Sequence, residues 1–298
     1  MSRAGYIPVR SKGGYLTDML FTRLPDNVIS EYRTIPAGRK KLELLIVRSA
    51  YVDKLNKPPC VLWMHGGGFL LGRPEVLYKS RAIDLVTRCG AVVVSPRYTL
   101  SVRSPYPQAV RECHHALLYI LRHAEELGIN KDQIIAGGES AGGGLAAALC
   151  MYALDHHTAN IAFQLPLYPM IDCYDTDSSR DNHERVWNTR RNHIAWRIYL
   201  RNLKGRRIPV YASPARRRDY RNLPPCYSFV GDIDPFHDET LTYIENLKKA
   251  GVPAEVDVYE GFYHAYDRIQ SQTPEAKHAA DVFVRKFQDY CERYTAEN

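Results

Sequence analysis

The chain of 298 residues carries 40 Lys and Arg against 33 Asp and Glu, a formal charge of +7, with 45% hydrophobic and 24% charged residues. Such a length supports one large domain with a real core, although length alone also permits two. There is no internal repeat or low-complexity tract, no run approaches the roughly 18 consecutive apolar residues of a membrane span, and the segment after Met1 lacks the apolar core of a secretion signal, so a cytoplasmic protein without a membrane partner is expected.

In chain order, strand-like runs are predicted at Lys41 to Val47 and at Val61 to Met64. The second leads into His65-Gly66-Gly67-Gly68, a turn whose bare backbone can present NH groups to a developing negative charge. A strand at Ala91 to Ser95 and a helical stretch at Ala109 to Leu127 come next. The strand Gln133 to Ala136 is followed by Gly138-Glu139-Ser140-Ala141-Gly142 and a strong helix former containing Leu145 to Leu149. A serine between two glycines at a strand-to-helix turn stands exposed at the strand end, and the NH of Ala141 at the positive end of the following helix is another anion donor. Further strands are predicted at Ile161 to Leu167, Cys226 to Val230 and Glu255 to Tyr259, with helices opening at Asp238 and at Pro274. This alternation implies an α/β fold with a mostly parallel sheet covered on both faces.

A serine hydroxyl is a poor nucleophile alone, so a base and an acid are required, and with a serine at such a strand-to-helix turn they follow in the chain order Ser, Asp or Glu, His. Three histidines follow a plausible acid. His278 lies on the last predicted helix and His237 within the segment that should carry the acid, which leaves His264, in a loop after the strand Glu255 to Tyr259. Asp232, Asp234 and Asp238 follow the strand ending at Val230; helix capping is a sufficient reason for Asp238, and Asp234, before Pro235, is preferred as the acid.

On these motifs the chain resembles the hormone-sensitive-lipase-like branch of the α/β hydrolases, the bacterial carboxylesterases marked by an HGGG loop. The resemblance extends from Val61 through His65-Gly66-Gly67-Gly68 and Gly138-Glu139-Ser140-Ala141-Gly142-Gly143 to Gly231-Asp232-Ile233-Asp234-Pro235, with Leu167-Tyr168-Pro169, Ser213-Pro214 and Leu223-Pro224-Pro225 as further shared segments. It implies Ser140 as nucleophile, Asp234 as acid and His264 as base, with the NH groups of Gly66, Gly67 and Ala141 lining the oxyanion hole. It also implies a helical cap built from residues 1–38 and an insert at about 175–222. The chain departs from the family pattern at Ala265-Tyr266, where Gly-Phe is usual, at Phe236, where leucine is usual, and at Tyr98-Thr99-Leu100-Ser101-Val102-Arg103. These changes spare the catalytic groups and bear on the acyl and alcohol pockets.

The activity expected is hydrolysis of short-chain, acetyl-like esters, failing at low pH as a histidine base near pKa ~6.5 or somewhat above protonates. Amidase, formamidase, thioesterase and acetyl-sugar deacetylase activities are alternatives on the same scaffold, and a non-catalytic binding protein is a further one. The partner expected is a small-molecule ester; a homodimer through exposed edge strands is plausible for this class. Seven scattered cysteines read as buried thiols, His114-His115 and His156-His157 lack ligand spacing, and no phosphate-binding glycine loop follows a strand, so neither a metal nor a nucleotide cofactor is expected. From Arg180 to Arg221 there are thirteen Lys and Arg against three acids, which leaves the rest of the chain at −3. A solvated outer face accounts for this charge; attraction of anionic substrates is the sharper alternative, and no nucleic-acid motif accompanies it.

Overall fold

The computed structural model describes residues 24–51 and 57–296. Its strands are β1 (Val28–Ala37), β2 (Lys40–Ser49), β3 (Cys60–Met64), β4 (Val92–Pro96), β5 (Ile134–Glu139), β6 (Gln164–Leu167), β7 (Cys226–Gly231) and β8 (Ala254–Tyr259). The helices are α1 (Arg81–Cys89), α2 (Gln108–Arg122), α3 (Ala124–Leu127), α4 (Ala141–Asp155), α5 (Asp177–Arg180), α6 (Thr189–Tyr199), α7 (His237–Lys249), α8 (Tyr266–Ile269) and α9 (Pro274–Arg293). One eight-stranded sheet runs in the order β1-β2-β4-β3-β5-β6-β7-β8. The pairs β1/β2 and β2/β4 are antiparallel and the rest are parallel.

The central strands have no solvent face, because each alternates its side chains between two buried layers. On β3, Cys60, Leu62 and Met64 enter the core layer shared with α2, α4 and α7, while Val61 and Trp63 enter the layer shared with α1 and α9. Helix α9 shows why this works: Phe283, Phe287 and Tyr290 recur at helical spacing, are fully buried, and each contributes about 2–3 kcal/mol by leaving water.

Part of the expected N-terminal cap is corrected. Residues 28–37 form the edge strand β1, because the turn at Gly38 folds them back onto β2 over ten residue pairs, Val28 opposite Ser49 to Ala37 opposite Lys40. Residues 1–23 of that cap lie outside the described residues. The predicted helix at Ala109 to Leu127 is two helices, α2 and α3, separated at His123. Among the described residues no helix is long and apolar enough to cross a membrane. All parallel strands end at the same edge, so the loops after β3, β5, β7 and β8 converge there, as ligand-bearing loops do in open α/β sheets.

Candidate active site

Ser140 sits between β5 and α4 with φ 58° and ψ −124°, a backbone state that costs of order ~1–3 kcal/mol and must be imposed by its surroundings. Those surroundings are specific. The Ser140 NH donates to the Leu167 carbonyl at 3.0 Å, and the Ser140 carbonyl accepts from Gly144 and Met170, both at 3.0 Å. Helix α4 presses so close to β3 that a Cβ on Gly142 would lie 2.0 Å from the Met64 carbonyl oxygen, a contact only glycine avoids. Sequence spacing and structural need agree at this turn.

The structure brings the three candidate side chains together. The Ser140 hydroxyl lies 2.9 Å from Nε2 of His264, and Nδ1 of His264 lies 2.8 Å from Oδ2 of Asp234. The second oxygen of Asp234 accepts the Phe236 NH at 2.8 Å, which fixes the carboxylate's rotation. Asp234 is 1% exposed, His264 4% and Ser140 6%, so water is nearly excluded from the line. With Nδ1–H donating to the carboxylate, Nε2 is left to accept from the hydroxyl. The alternatives lie elsewhere. Asp238 accepts the Ser178 NH at 2.8 Å and pairs with His237 at 2.9 Å, tying α7 to α5. His278 stands exposed on α9.

The loop after β3 lies against the serine: a Cβ on Gly66 would be 3.3 Å from that of Ser140. Gly67 follows it, and Ala141 begins α4, where its NH belongs to the unpaired first turn. His65 braces this loop from below. Its ring stacks on Tyr98 at 4.2 Å, its Nδ1 lies 2.8 Å from the Gly66 carbonyl, and the Tyr98 hydroxyl donates to the His65 carbonyl at 2.8 Å. Burial pushes the His65 imidazole down to about 4, so it is neutral at physiological pH.

The insert between β6 and β7 carries α5 and α6 and reaches over this edge of the sheet. Gly68, with φ 61°, carries the Trp187 ring so closely that a Cβ there would be 2.3 Å from Cη2. The same indole is 6.2 Å from the His264 ring and 6.4 Å from that of Phe236. Trp196 and Tyr199 are buried against Phe69 at 5.6 and 4.1 Å and give the insert an apolar underside. Several of the basic residues are paired: Arg180 with Asp177, Arg216 with Asp172, Arg217 with Asp155 and Arg221 with Asp219. Sequence reasoning missed Tyr168, whose ring meets His264 edge-on at 5.2 Å; the signal available was its place in the Leu167-Tyr168-Pro169 segment.

Comparison with known proteins agrees with this geometry. A family described as the alpha/beta hydrolase fold matches residues 61–268. An acetyl esterase of Salmonella typhi is 31% identical over 72% of this chain and 68% of its own length, and the esterase LipI of Mycobacterium tuberculosis is 29% identical over 75% and 70%. Among solved structures, a bacterial heroin esterase superimposes with a TM-score of 0.83 at 30% identity, covering 89% of this chain and 84% of that one. The chain belongs to the family of the alpha/beta hydrolase fold, in the company of enzymes named as esterases.

Proposed function

We propose that this protein is a serine carboxylesterase that cleaves short-chain, acetyl-like esters through Ser140, His264 and Asp234. The chain is an ester-bond hydrolase. The observation that carries the assignment of roles is the buried line from hydroxyl to imidazole to carboxylate, at 2.9 and 2.8 Å. His264 takes the Ser140 proton at Nε2 as Oγ attacks the ester carbonyl, and Asp234 holds the Nδ1 proton and stabilises the imidazolium. The carbonyl oxygen becomes an oxyanion received by the NH groups of Gly66, Gly67 and Ala141; the imidazolium then protonates the departing alcohol, and water repeats the cycle on the acyl-enzyme.

The aromatic side chains around the site support a short acyl group. Trp187 lies over Gly68, and Phe236 stands 5.0 Å from the His264 ring, so two bulky rings border the catalytic groups. The insert at 175–222 is then the cover of the site. All seven cysteines are free thiols, which suits a reducing compartment such as the cytoplasm.

The test is a series of nitrophenyl esters of increasing chain length together with acetylated sugars, with Ser140→Ala as the blank and a fluorophosphonate as active-site label. Acetate to butyrate esters should turn over fastest, and both turnover and labelling should vanish in Ser140→Ala. Undiminished hydrolysis by Ser140→Ala would refute the serine, and a maximum at long chains would refute the substrate class.

A further inference from the structure

Behind the imidazole, away from the substrate, lies a group of buried charges that the mechanism does not use. Glu139, the last residue of β5, accepts the Arg81 NH at 2.8 Å with one oxygen and pairs through the other with Nη1 of Arg268 at 2.9 Å. Asp267 pairs with Nε of Arg81 at 3.1 Å, and Nη1 of Arg81 reaches Asp84 at 2.9 Å. Nε of Arg268 also donates to the Lys79 carbonyl at 3.2 Å. Glu139 and Asp267 have almost no exposed surface. Burial pushes both carboxyls up, and each faces a guanidinium, which keeps a buried carboxylate ionised.

This placement joins the parts of the reaction centre. Glu139 precedes the nucleophile in the chain, Asp267 and Arg268 stand on the short helix that follows His264, and Arg81 and Asp84 belong to the first turn of α1. Tyr168 lies between the cluster and the base, its ring perpendicular to the imidazole at 5.2 Å and its buried hydroxyl close enough to Asp267 for the two to interact electrostatically. We propose that Asp267 is a positioning residue for the base: held by Arg81, it anchors the loop carrying His264 against β5 and α1 and adds, beyond Asp234, a second fixed negative charge favouring the imidazolium formed as Ser140 loses its proton. The proposal rests on the reading of His264 as base.

The groups facing each partner define the expected signs. The imidazole meets Asp234, Ser140 and Tyr168, with Phe236 and Trp187 as apolar neighbours. Asp267 is acted on by Arg81, Arg268 and Tyr168, and its charge is felt at Glu139, Tyr259 and His264. Removing the Asp267 charge leaves the guanidiniums in excess and disfavours imidazolium; removing that of Arg81 does the reverse.

The experiment is the pH dependence of kcat/KM for a short nitrophenyl ester, measured on Asp267→Asn, Arg81→Met and Arg81→Lys beside the wild type. The acid limb should move down by roughly 0.5–1 unit in Asp267→Asn, move up in Arg81→Met, and stay near the wild type in Arg81→Lys. A loss of folded protein that does not vary with pH lowers the whole profile without moving its midpoint, and circular dichroism over the same pH range separates acid unfolding from titration of the base. Should Asp267→Asn yield no folded protein, Glu139→Gln carries the same sign. Unmoved limbs, shifts of one sign in Asp267→Asn and Arg81→Met, or an Arg81→Lys shift as large as that of Arg81→Met would overturn the proposal. A wild type with no acid limb would instead remove the base assignment to His264.

Discussion

Acidification should destabilise the fold through His65, and the size of the effect follows from its site. The ring is buried, stacked on Tyr98, bonded through Nδ1 to the Gly66 carbonyl, and its Nε2 has no partner. A second proton would have to enter without solvent or acceptor, so the folded-state value lies at about 4 against 6.5 for the free side chain. Between those values the unfolded chain binds more protons than the folded one, and stability falls as pH falls. The loss amounts to about 2 kcal/mol at pH 5 relative to neutrality and approaches about 3 kcal/mol near pH 4. A buried carboxyl such as Glu239, which faces no guanidinium, acts in the opposite sense, because burial raises it well above the ordinary range and its protonation on acidification relieves a cost. The comparison must therefore be between the wild type and His65→Asn, whose amide nitrogen can keep the Gly66 bond but takes up no proton. Urea unfolding from pH 7.5 to 5 should show a steeper loss in the wild type, the two curves converging by about 2 kcal/mol at pH 5. Parallel curves would refute the reasoning that this imidazole is held neutral.

Two further outcomes can be measured on the same material. Ala265 stands in the left-handed region at φ 59°, so Ala265→Gly should stabilise the fold by about 1 kcal/mol, read as a thermal midpoint raised by roughly 2–4 °C. An unchanged or lowered midpoint would mean that the loop is not strained there. Trp187→Ala should remove the wall over Gly68 and raise the ratio of octanoate to acetate kcat/KM by at least about tenfold. An unchanged ratio would show that the indole does not limit acyl length.

What the sequence disclosed, and what it withheld, divides along a physical line. The turn at Ser140 was legible because a steric demand leaves a compositional mark: no residue but glycine fits at 142, with the Met64 carbonyl where a side chain would begin. The histidine was legible by chain order, and Asp234 could be preferred because capping offered Asp238 another task; in the structure Phe236 precedes α7 without a side-chain cap, and Asp238, inside the first turn, ties α7 to Ser178 instead. Strand β1 was misassigned because its burial is irregular, one face on the core and the other partly wet, so no clean alternation announced it; the Gly38 turn was the better signal. The charge cluster around Asp267 was out of reach, since its members come from β5, α1 and α8 and no local pattern relates them. The basic insert was countable, but the acids that offset it, Asp155 and Asp172, lie before it in the chain and meet it only on folding.

The backbone at Ser140 is gripped from both sides by Leu167, Gly144 and Met170, and none of those bonds involves the hydroxyl. The shape of the reaction centre is therefore indifferent to the atom it presents. If Ser140 is the nucleophile, as proposed, stripping that oxygen should silence turnover while leaving the cradle intact, and a receptor would then lie one atom away from a catalyst.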